Sequence, residues 1–306
     1  MKKVIVFGSL NMDLTIKCDY IPKNGETLNG HDFFTNPGGK GGNQAVAAAK
    51  LGADTRMIAS VGQDLFGSEI ISKLKEYKVN TEYVSQSEFS PSGVAMIIRC
   101  NNDNRIILSN GANHAINIEE VKAALDKIGE AGDIFLTQLE NDLPTVVEAI
   151  AYAKAKGMLT ILNPAPAQIL DDEVYKNLDL IVVNQSECQI LTSVFPSDDE
   201  SCIKGIKAFE KKGVKSIITL GAQGSISNLD NQNIFVASKK VDVVDTTAAG
   251  DSYIGAVCTY LAQGKSAKEA LEFATTVAAL TVKRRGAQVS IPTIDEVNEF
   301  TEDKHE

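Results

Sequence analysis

The chain has 306 residues, of which 43% are hydrophobic and 23% are charged, and its formal net charge is −10. Such a chain is long enough to bury a full core, in one large α/β domain or in two smaller domains. The acidic balance argues against a general nucleic-acid binder, so we expect no nucleic-acid partner. It does not exclude an anionic ligand, because a lysine and helix N-termini can form a local positive site.

The five cysteines are odd in number and include no Cys-x-x-Cys pair. We interpret them as reduced thiols and expect neither a disulfide framework nor a zinc site. The apolar run from Val4 to Leu10 is too short to span a membrane and has no small-residue cleavage site after it. We therefore expect a cytoplasmic protein with no membrane partner.

Short apolar runs alternate with amphipathic stretches along most of the chain, beginning with a predicted strand at Val4–Gly8. The other predicted strands are Thr55–Val61, Asp133–Leu139, Leu159–Leu162, Leu180–Val183 and Ser216–Leu220. The predicted helices are Ala45–Leu51, Gly67–Tyr77, Ile118–Ile128, Leu143–Lys156 and Ser201–Lys212. Buried strands that alternate with helices predict an α/β fold with a mostly parallel sheet covered on both faces.

Two stretches have a different pattern, in which apolar and polar residues alternate between turns. They are residues 12–37 and 92–112, and the second contains a predicted turn at Asn101–Asn104. We predict that these two inserted segments form one small β-sheet, a lid, beside the main domain that residues 1–306 build.

Residues 241–255 predict a junction at which a strand is followed by a helix. Val241–Val244 is predicted as the end of a strand and Ser252–Leu261 as a helix, with small residues between them. Because small side chains let a ligand approach the backbone, and the first N–H groups of a helix lack intrahelical acceptors, this junction predicts an anion site. Asp251 beside it can accept a proton from an attacking hydroxyl, although Asp is also a common N-cap.

Polar residues follow most of the predicted strands, at the sheet edge where α/β proteins bind ligands. These residues are Asn11, Asp13, Glu140, Asn163, Asn184, Glu187 and the run Gly221–Gly224. Each one alone is more simply a turn residue or a helix cap. Collected at one edge they favour a binding site, and Asn11 and Asp13, two residues apart on an extended segment, suit vicinal hydroxyls.

Two motifs in this order along the chain resemble the signatures of the ribokinase (PfkB) family of sugar kinases. They are Asn36–Gly52, with the sequence NPGGKGGNQAVAAAKLG, and Asp245–Asp251, with the sequence DTTAAGD. The first motif resembles ribokinases more closely than fructokinases or adenosine kinases. The resemblance implies a ribokinase-like three-layer sandwich with a β-lid, and an ATP-dependent kinase that phosphorylates the 5-hydroxyl of D-ribose.

The same resemblance implies roles for individual residues. Asp251 is the general base, and the backbone N–H groups of Ala248, Ala249 and Gly250 hold the transferred phosphoryl group. The sugar contacts are Asn11, Asp13, Gly39, Lys40, Gly41, Gly42, Asn43, Glu140 and Asp251. The ATP contacts are Asn184, Thr219, Gly221, Gly224, Gly250 and Thr275.

Two metal ions and a homodimer are also implied. Mg²⁺ is expected near Glu187, through water. K⁺ is expected at Asp245, Thr247 and Ser290, with backbone oxygens near Thr281, Arg284 and Gly286. An ion pair of Asp245 with Arg284 or Arg285 is the alternative to K⁺. The exposed apolar residues of the lid favour a homodimer formed through the lids.

Two further alternatives for the function stay open. One is a kinase for a related substrate, such as deoxyribose, fructose or a nucleoside, and the other is a non-catalytic sugar or nucleotide sensor. A dehydrogenase is disfavoured, because no G-x-G-x-x-G motif follows the first predicted strand.

Overall fold

A computed structural model of the chain describes residues 1–100 and 103–302, so the predicted turn at Asn101–Asn104 lies partly outside the described residues. The strands are β1 (Val4–Phe7), β2 (Asn11–Lys17), β3 (His31–Gly38), β4 (Thr55–Gly62), β5 (Asn80–Ser87), β6 (Gly93–Cys100), β7 (Asp103–Ser109), β8 (Ile134–Thr137), β9 (Leu159–Leu162), β10 (Leu180–Asn184), β11 (Lys215–Thr219), β12 (Ser225–Ser227) and β13 (Ile234–Val236). The α-helices are α1 (Lys40–Lys50), α2 (Leu65–Glu76), α3 (Ile118–Ile128), α4 (Leu143–Ala155), α5 (Asp172–Lys176), α6 (Gln185–Thr192), α7 (Asp199–Lys211), α8 (Ala249–Ala262), α9 (Ala267–Thr281) and α10 (Ile294–Glu302).

The main sheet has the strand order β13-β12-β11-β10-β9-β8-β1-β4-β5. The pairings from β11 through to β5 are parallel, and only β12 and β13 add antiparallel pairings at one edge. The prediction of a mostly parallel sheet is therefore confirmed. All parallel strands point the same way, so their carboxyl ends meet at one edge of the sheet.

Helices cover both faces of this sheet. In β1 all four side chains are fully buried, with Val4 and Val6 in one hydrophobic cluster and Ile5 and Phe7 in another. The first cluster includes residues of α1, α2, α8, α9 and α10, and the second includes residues of α3 to α7. Continuous apolar runs such as this one are what a strand buried on both faces requires. The structure is a three-layer α/β sandwich, as predicted.

A second, smaller sheet has the strand order β3-β2-β6-β7. Its central pair, β2 and β6, is parallel, and the two outer pairs are antiparallel. Asn11 of β2 lies opposite Gly38 of β3 and Gly93 of β6. Strand β2 therefore carries the chain from the edge of the main sheet directly into the small sheet.

Three local predictions differ from the structure. Helix α1 begins at Lys40, five residues before the predicted start, and includes Gly41 and Gly42. Glycine is required at position 41 because a Cβ atom there would lie 2.6 Å from the Gly8 carbonyl carbon. Strand β5 was not predicted. The strand predicted at Val241–Val244 is wrong: this segment is irregular, and the N–H groups of Val244 and Asp245 donate to the Val282 carbonyl at 2.8 and 3.2 Å.

Helices α1 and α8 pack closely against each other. A Cβ atom at Gly255 of α8 would lie 2.5 Å from the Ala47 Cβ and 2.8 Å from the Gln44 carbonyl oxygen, both in α1. Only glycine permits this approach, which places the first turn of α8 beside the first turn of α1. Within the described residues, no helix combines the length and the apolar composition that a bilayer span requires.

Candidate active site

The N-terminus of α8 lies at the carboxyl edge of the main sheet. The helix begins at Ala249, and its N-cap is Ala248, which has a φ of 60° in the left-handed region. This conformation costs an alanine about 1–2 kcal/mol, and such residues cluster at functional sites. Asp251 is the third residue of the helix, so the alternative that Asp251 is the N-cap is wrong.

The carboxylate of Asp251 is held by two amide groups of α1. Asn43 Nδ2 donates to Asp251 Oδ2 at 2.9 Å, and Gln44 Nε2 donates to Asp251 Oδ1 at 3.0 Å. Hydrogen bonds from amides favour the ionised carboxylate and fix its orientation. Asp251 therefore stands as an oriented proton acceptor next to N–H groups that have no intrahelical acceptor.

Asn11, Asp13 and Glu140 surround the start of α1 from the other side. Asn11 Oδ1 accepts from Asn113 Nδ2 at 2.8 Å, and the amide of Asn113 also bonds both backbone groups of Leu10. Asn113, which the sequence did not point to, thus sets the orientation of Asn11. Glu140 Oε2 accepts from the backbone N–H of Lys40 at 3.1 Å and from the Ser9 hydroxyl.

Glycines let the backbone come close to these side chains. A Cβ atom at Gly38 would lie 2.3 Å from Asp13 Oδ2, and one at Gly39 would lie 2.8 Å from the Ser9 carbonyl oxygen. Gly39 also has a φ of 85°, which side chains disfavour. The glycine-rich motif is therefore needed to seat β3 and α1 against the first residues of β2, with Asp13 beside them.

Carboxylates outnumber cations in this region, and the imbalance shifts pKa values. Burial, followed by the charges of Glu140 and Asp251, raises the pKa of Asp13 from 3.8 to about 7. Burial lowers the pKa of the Lys40 ammonium, but the charges of Asp251, Glu140 and Glu187 outweigh burial and raise it. Lys40 therefore stays protonated as the cation that these acidic side chains share.

The small sheet covers one side of the site. A cavity of about 70 Å³ lies between its residues Asp13, Phe34 and Ile97 and the backbone near Thr247 and Gly286. Its lining combines apolar side chains with polar groups such as those of Asn36 and Thr247. This is a suitable environment for recognising a molecule with several hydroxyl groups.

Asn184, Glu187 and Thr219 lie farther along the same edge, after β10 and β11. Asn184 and Glu187 form a reciprocal capping box at the start of α6, with both hydrogen bonds at 2.8 Å. One carboxylate oxygen of Glu187, Oε2, accepts the Asn184 N–H in this capping box. Burial, partly offset by the Asn184 N–H and by Lys40, raises the pKa of Glu187.

The segment from Thr219 to Gly224 is a glycine turn between β11 and β12. Gly221 and Gly224 have φ values of 56° and 114°, and a Cβ atom at Gly224 would lie 2.0 Å from the Val236 carbonyl oxygen. The Thr219 hydroxyl donates to the Val183 carbonyl at 3.3 Å. Thr275 lies in α9 and is 7% exposed, and its hydroxyl donates to the Leu271 carbonyl, so it has no donor left for a ligand.

Asp245 connects the residues of the predicted cation site. Its Oδ1 accepts from the Thr247 N–H and hydroxyl at 3.0 and 2.7 Å, and its Oδ2 accepts from the Gly286 N–H at 3.3 Å. These contacts lower the pKa of Asp245 against the opposing effect of burial. Its ion-pair partner is Arg99 of β6, at 4.0 Å.

The alternative ion pair of Asp245 with Arg284 or Arg285 is wrong. Arg284 instead pairs with Glu296 at 2.6 Å, and within the described ranges neither arginine lies within ion-pair distance of Asp245. The hydroxyls of Thr281 and Ser290 donate to Val277 and Ala287 carbonyls at 2.9 and 2.7 Å. The part of the chain that the structure describes contains no cluster of three or more His, Cys, Asp or Glu side chains that could hold a metal ion.

The sequence missed Ser9, Gln44, Asn113 and Gln138 as site residues. Gln44 lies inside the glycine-rich motif and Gln138 directly follows β8, so both positions carried a signal that was not used. Together, a carboxylate base, a helix N-terminus and a pocket of amides and carboxylates form the kind of site that transfers a phosphoryl group to a hydroxyl.

Comparison with known proteins agrees with this class of site. The family model described as pfkB family carbohydrate kinase matches residues 1–294. The chain belongs to the pfkB family of carbohydrate kinases, which confirms the resemblance inferred from the two sequence motifs.

Individual relatives are similar over nearly the whole chain. A ribokinase of Haemophilus influenzae is 38% identical over 98% of this chain and 99% of its own length. A deoxyribokinase of Salmonella typhi is 36% identical over 97% of this chain and 98% of its own length. The structure of an Arabidopsis thaliana ribokinase complexed with ribose and ATP superposes with a TM-score of 0.88 at 28% identity, covering 97% of this chain and 98% of that one.

The raised pKa of Asp13 makes a prediction about stability. The folded protein retains a proton on Asp13 between about pH 4 and pH 7 that the unfolded chain has lost, so stability falls as the pH rises through that window. We expect Asp13→Asn to remove this dependence and to be more stable than the parent at pH 8, by about 1–4 kcal/mol. Urea unfolding at pH 5 and pH 8 measures the effect.

The matched control is Asp198→Asn at the N-cap of α7. The N–H and hydroxyl of Ser201 lower the pKa of Asp198, so this substitution should destabilise the protein at both pH values. An Asp13→Asn variant that is less stable than the parent at pH 8 would show that Asp13 is not an unpaired buried acid.

Proposed function

We propose that the protein is a ribokinase, which transfers the γ-phosphoryl group of ATP to the 5-hydroxyl of D-ribose and yields D-ribose 5-phosphate and ADP. The observation that carries the proposal is the Asp251 carboxylate, oriented by Asn43 and Gln44 in the first turn of α8. The ribokinase and the ribose–ATP complex among the relatives support the choice of sugar and of phosphoryl donor.

In the proposed reaction Asp251 takes the proton of the 5-hydroxyl as its oxygen attacks the γ-phosphorus, and the β–γ bridging oxygen leaves with ADP. The N–H groups at Ala248, Gly250 and Asp251 would donate to the negative charge that develops on the transferred group, whereas the Ala249 N–H donates to the Thr246 carbonyl at 3.2 Å. Fixed dipoles of this kind need no reorganisation during the reaction, which makes them effective. Lys40 supplies a positive charge between Asp251, Glu140 and Glu187.

The sugar is proposed to lie between β2 and the start of α1. Asn11, Asp13 and Glu140 accept or donate hydrogen bonds to its hydroxyls, with Gly39 to Asn43 forming the floor. Asn43 Oδ1 is buried and has no partner among the described residues, so a donor such as a sugar hydroxyl would satisfy it. A dry pocket disfavours a sugar that lacks one of these hydroxyls, because its partner stays unpaired.

The residues toward α6 and β12 are proposed to hold the nucleotide. Asn184 and the turn from Thr219 to Gly224 follow neighbouring strands, and the glycines of this turn permit close approach of the phosphates. Mg²⁺ is proposed beside Glu187, whose other carboxylate oxygen can bind a water of the ion, since Mg²⁺ commonly keeps several waters and bridges to phosphates. When bound, Mg²⁺ would neutralise charge on the phosphates.

K⁺ is proposed next to Asp245, between the segments 244–249 and 282–290. The backbone joins these segments through the N–H groups of Val244 and Asp245, which both donate to the Val282 carbonyl. Carbonyl and hydroxyl oxygens near Thr247, Thr281, Arg284, Gly286 and Ser290 suit a large, weakly hydrated cation. Its role would be to hold the turn before α8 in position.

The small sheet is proposed to act as the lid and as a dimer interface. Met96, Ile106 and Ile107 are more than half exposed, and Phe33 is 63% exposed. An apolar sheet of few strands is a typical interaction surface, which a second copy of the chain would cover. The proposed location is the cytoplasm, which agrees with five cysteines that are all free thiols.

The proposed reaction is tested by release of ADP with a panel of sugars. We expect turnover with D-ribose above that with 2-deoxyribose and fructose, and we expect Asp251→Asn to lower kcat by about 10²–10⁴-fold while ribose binding survives. A coupled ADP assay measures the rates, and calorimetry measures ribose binding.

The control is Asp198→Asn, which changes a surface carboxylate and should keep full activity. Turnover of Asp251→Asn within a few-fold of the parent would exclude Asp251 as the base.

The proposed cation site predicts a dependence on K⁺. With saturating ribose and Mg-ATP, replacing Na⁺ by K⁺ at constant ionic strength should raise kcat and leave the affinity for ribose nearly unchanged, because the cation orders the anion site. Asp245→Asn should reduce the difference between the two salts. Equal initial rates of the parent enzyme in both salts would remove K⁺ from the mechanism.

The proposed interface predicts a homodimer at micromolar concentration. Ile107→Lys places a charge on the exposed apolar face of the lid and should shift the molar mass from dimer to monomer. Ile169→Lys, at a position that is 84% exposed and outside the lid, is the matched control and should stay dimeric. Light scattering measures the mass, and a parent protein that is monomeric at this concentration would contradict the interface.

A further inference from the structure

A chain of buried amide groups lies behind Asp251. Gln44 Nε2 donates to Asp251 Oδ1 at 3.0 Å and to Asn163 Oδ1 at 3.1 Å, and Gln138 Nε2 donates to Gln44 Oε1 at 2.6 Å. Gln44 and Gln138 are completely buried, and Asn163 is 6% exposed. These hydrogen-bonded amides connect α1 with α8 and with the residues that follow β8 and β9, next to the proposed base.

The orientation of each amide in this hydrogen-bonded row is determined by the backbone carbonyl that Asn163 contacts. Asn163 Nδ2 donates to the Val182 carbonyl at 3.0 Å, and a carbonyl oxygen can only accept. The other atom of the Asn163 amide, Oδ1, must therefore face Gln44. Gln44 in turn has to present its NH₂ group toward Asn163, and the second hydrogen of that group is directed at Asp251. A backbone carbonyl of β10 thus determines that Asp251 receives a donor.

We infer that Gln44 is a positioning residue for Asp251, which orients the carboxylate without touching the substrate. The inference rests on the proposed function, since it assigns Gln44 a role for the same base. Asn43 donates to the other oxygen of Asp251, and its own Oδ1 has no partner among the described residues and could contact the sugar. Gln44 is completely buried. Gln44 therefore acts through Asp251 alone.

Other charged groups also face Asp251. Asp13 and Glu187 are acidic neighbours and Lys40 is the basic one, and each interacts electrostatically with Asp251. A substitution at Gln44 leaves all three in place. A change in the pH dependence of such a variant therefore reports the loss of the Gln44 hydrogen bond.

The test compares Gln44→Leu and Gln44→Glu with the parent enzyme in the ADP-release assay. Gln44→Leu removes the donor at similar size, and small misplacement of a catalytic group costs up to about 100-fold, so we expect kcat to fall about 10- to 100-fold. The affinity for ribose should change less than threefold, because Asn11, Asp13 and Glu140 are untouched. The acidic limb of the kcat profile should move to higher pH, since a carboxylate that loses a hydrogen-bond donor is protonated more easily.

Gln44→Glu keeps the shape and can still accept from Gln138, but it places a second carboxylate against Asp251. We expect kcat at neutral pH to fall at least as far as in Gln44→Leu, although the side-chain volume is conserved. If Gln44 served only for packing, the isosteric Glu variant would be the more active of the two, and this result would overturn the inference.

The matched control is Asn228→Leu. Asn228 directly follows β12 and bonds the backbone of Ser216 in β11. Asn228 is also a buried amide, 1% exposed, that donates to a carboxylate, Glu210, at 2.7 Å and accepts from a backbone N–H. Its loss should lower the melting temperature and leave kcat and the pH profile unchanged. If Gln44→Leu behaves in the same way as this control, Gln44 has a structural role only.

The outcomes separate this inference from the proposed function. A parent enzyme that releases no ADP with any sugar would contradict the proposed function itself. A parent enzyme that is active, with Gln44 variants of unchanged pH profile and kcat, would contradict only the role of Gln44. Should Gln44→Leu fail to fold, Gln44→Glu and the pH profile still decide the question.

Discussion

The close contact of α1 with α8 at Gly255 determines the geometry of the site. Because Gly255 has no Cβ atom, the Gln44 carbonyl and Ala47 of α1 pack directly against α8. Asp251 lies one turn earlier on α8, so the same contact brings its carboxylate within 3.0 Å of Asn43 and Gln44. The glycine-rich motif and the motif around Asp251, about two hundred residues apart in sequence, meet as two first turns of packed helices.

Several carboxylates lie close together around Lys40, and this arrangement lowers the stability of the folded protein. Asp13, Glu140, Glu187 and Asp251 converge near a single lysine, Lys40, and burial adds to their mutual repulsion. An isolated chain gains nothing from this arrangement, since each buried carboxylate without a full set of donors is costly. Burial and the neighbouring charges raise the pKa of Asp13, and hydroxyl groups of a ligand could donate to this carboxyl group. Buried carboxylates of this type lower the stability of the free protein.

The sequence predicted the three-layer fold well, because buried parallel strands have continuous apolar runs that differ from amphipathic helices. It failed where tertiary packing overrides local pattern. Gly41 and Gly42 looked like loop residues, but they are helical because the Gly8–Leu10 segment lies against them. Val241–Val244 had the alternation of a strand, but its backbone bonds to Val282 at the end of α9 instead of to a sheet.

The candidate site was predictable in its charged and small residues but not in its buried amides. Asp251 and Lys40 are charged residues in motifs rich in glycine and alanine, and Asp13 stands with Asn11 after the first predicted strand, so these residues were predictable. Gln44, Gln138 and Asn113 are as buried as core residues, and their importance lies in side-chain partners that are about 90 to 210 residues away in sequence. No local pattern encodes such partners, whereas hydrogen-bond geometry in the folded protein identifies them directly.

The small sheet contacts the candidate site at two places, through β2 and through Arg99 of β6. Strand β2 carries Asn11 and Asp13 and pairs with β6 along its whole length, so a movement of the small sheet moves these two side chains. Arg99 of β6 lies 4.0 Å from Asp245, whose other partners are Thr247, before α8, and Gly286. The small sheet thus carries Asn11 and Asp13 on β2 and contacts the turn before α8 through Arg99. Because both contacts belong to one four-stranded sheet, a displacement of that sheet would move Asn11 and Asp13 and alter the Arg99–Asp245 ion pair at the same time.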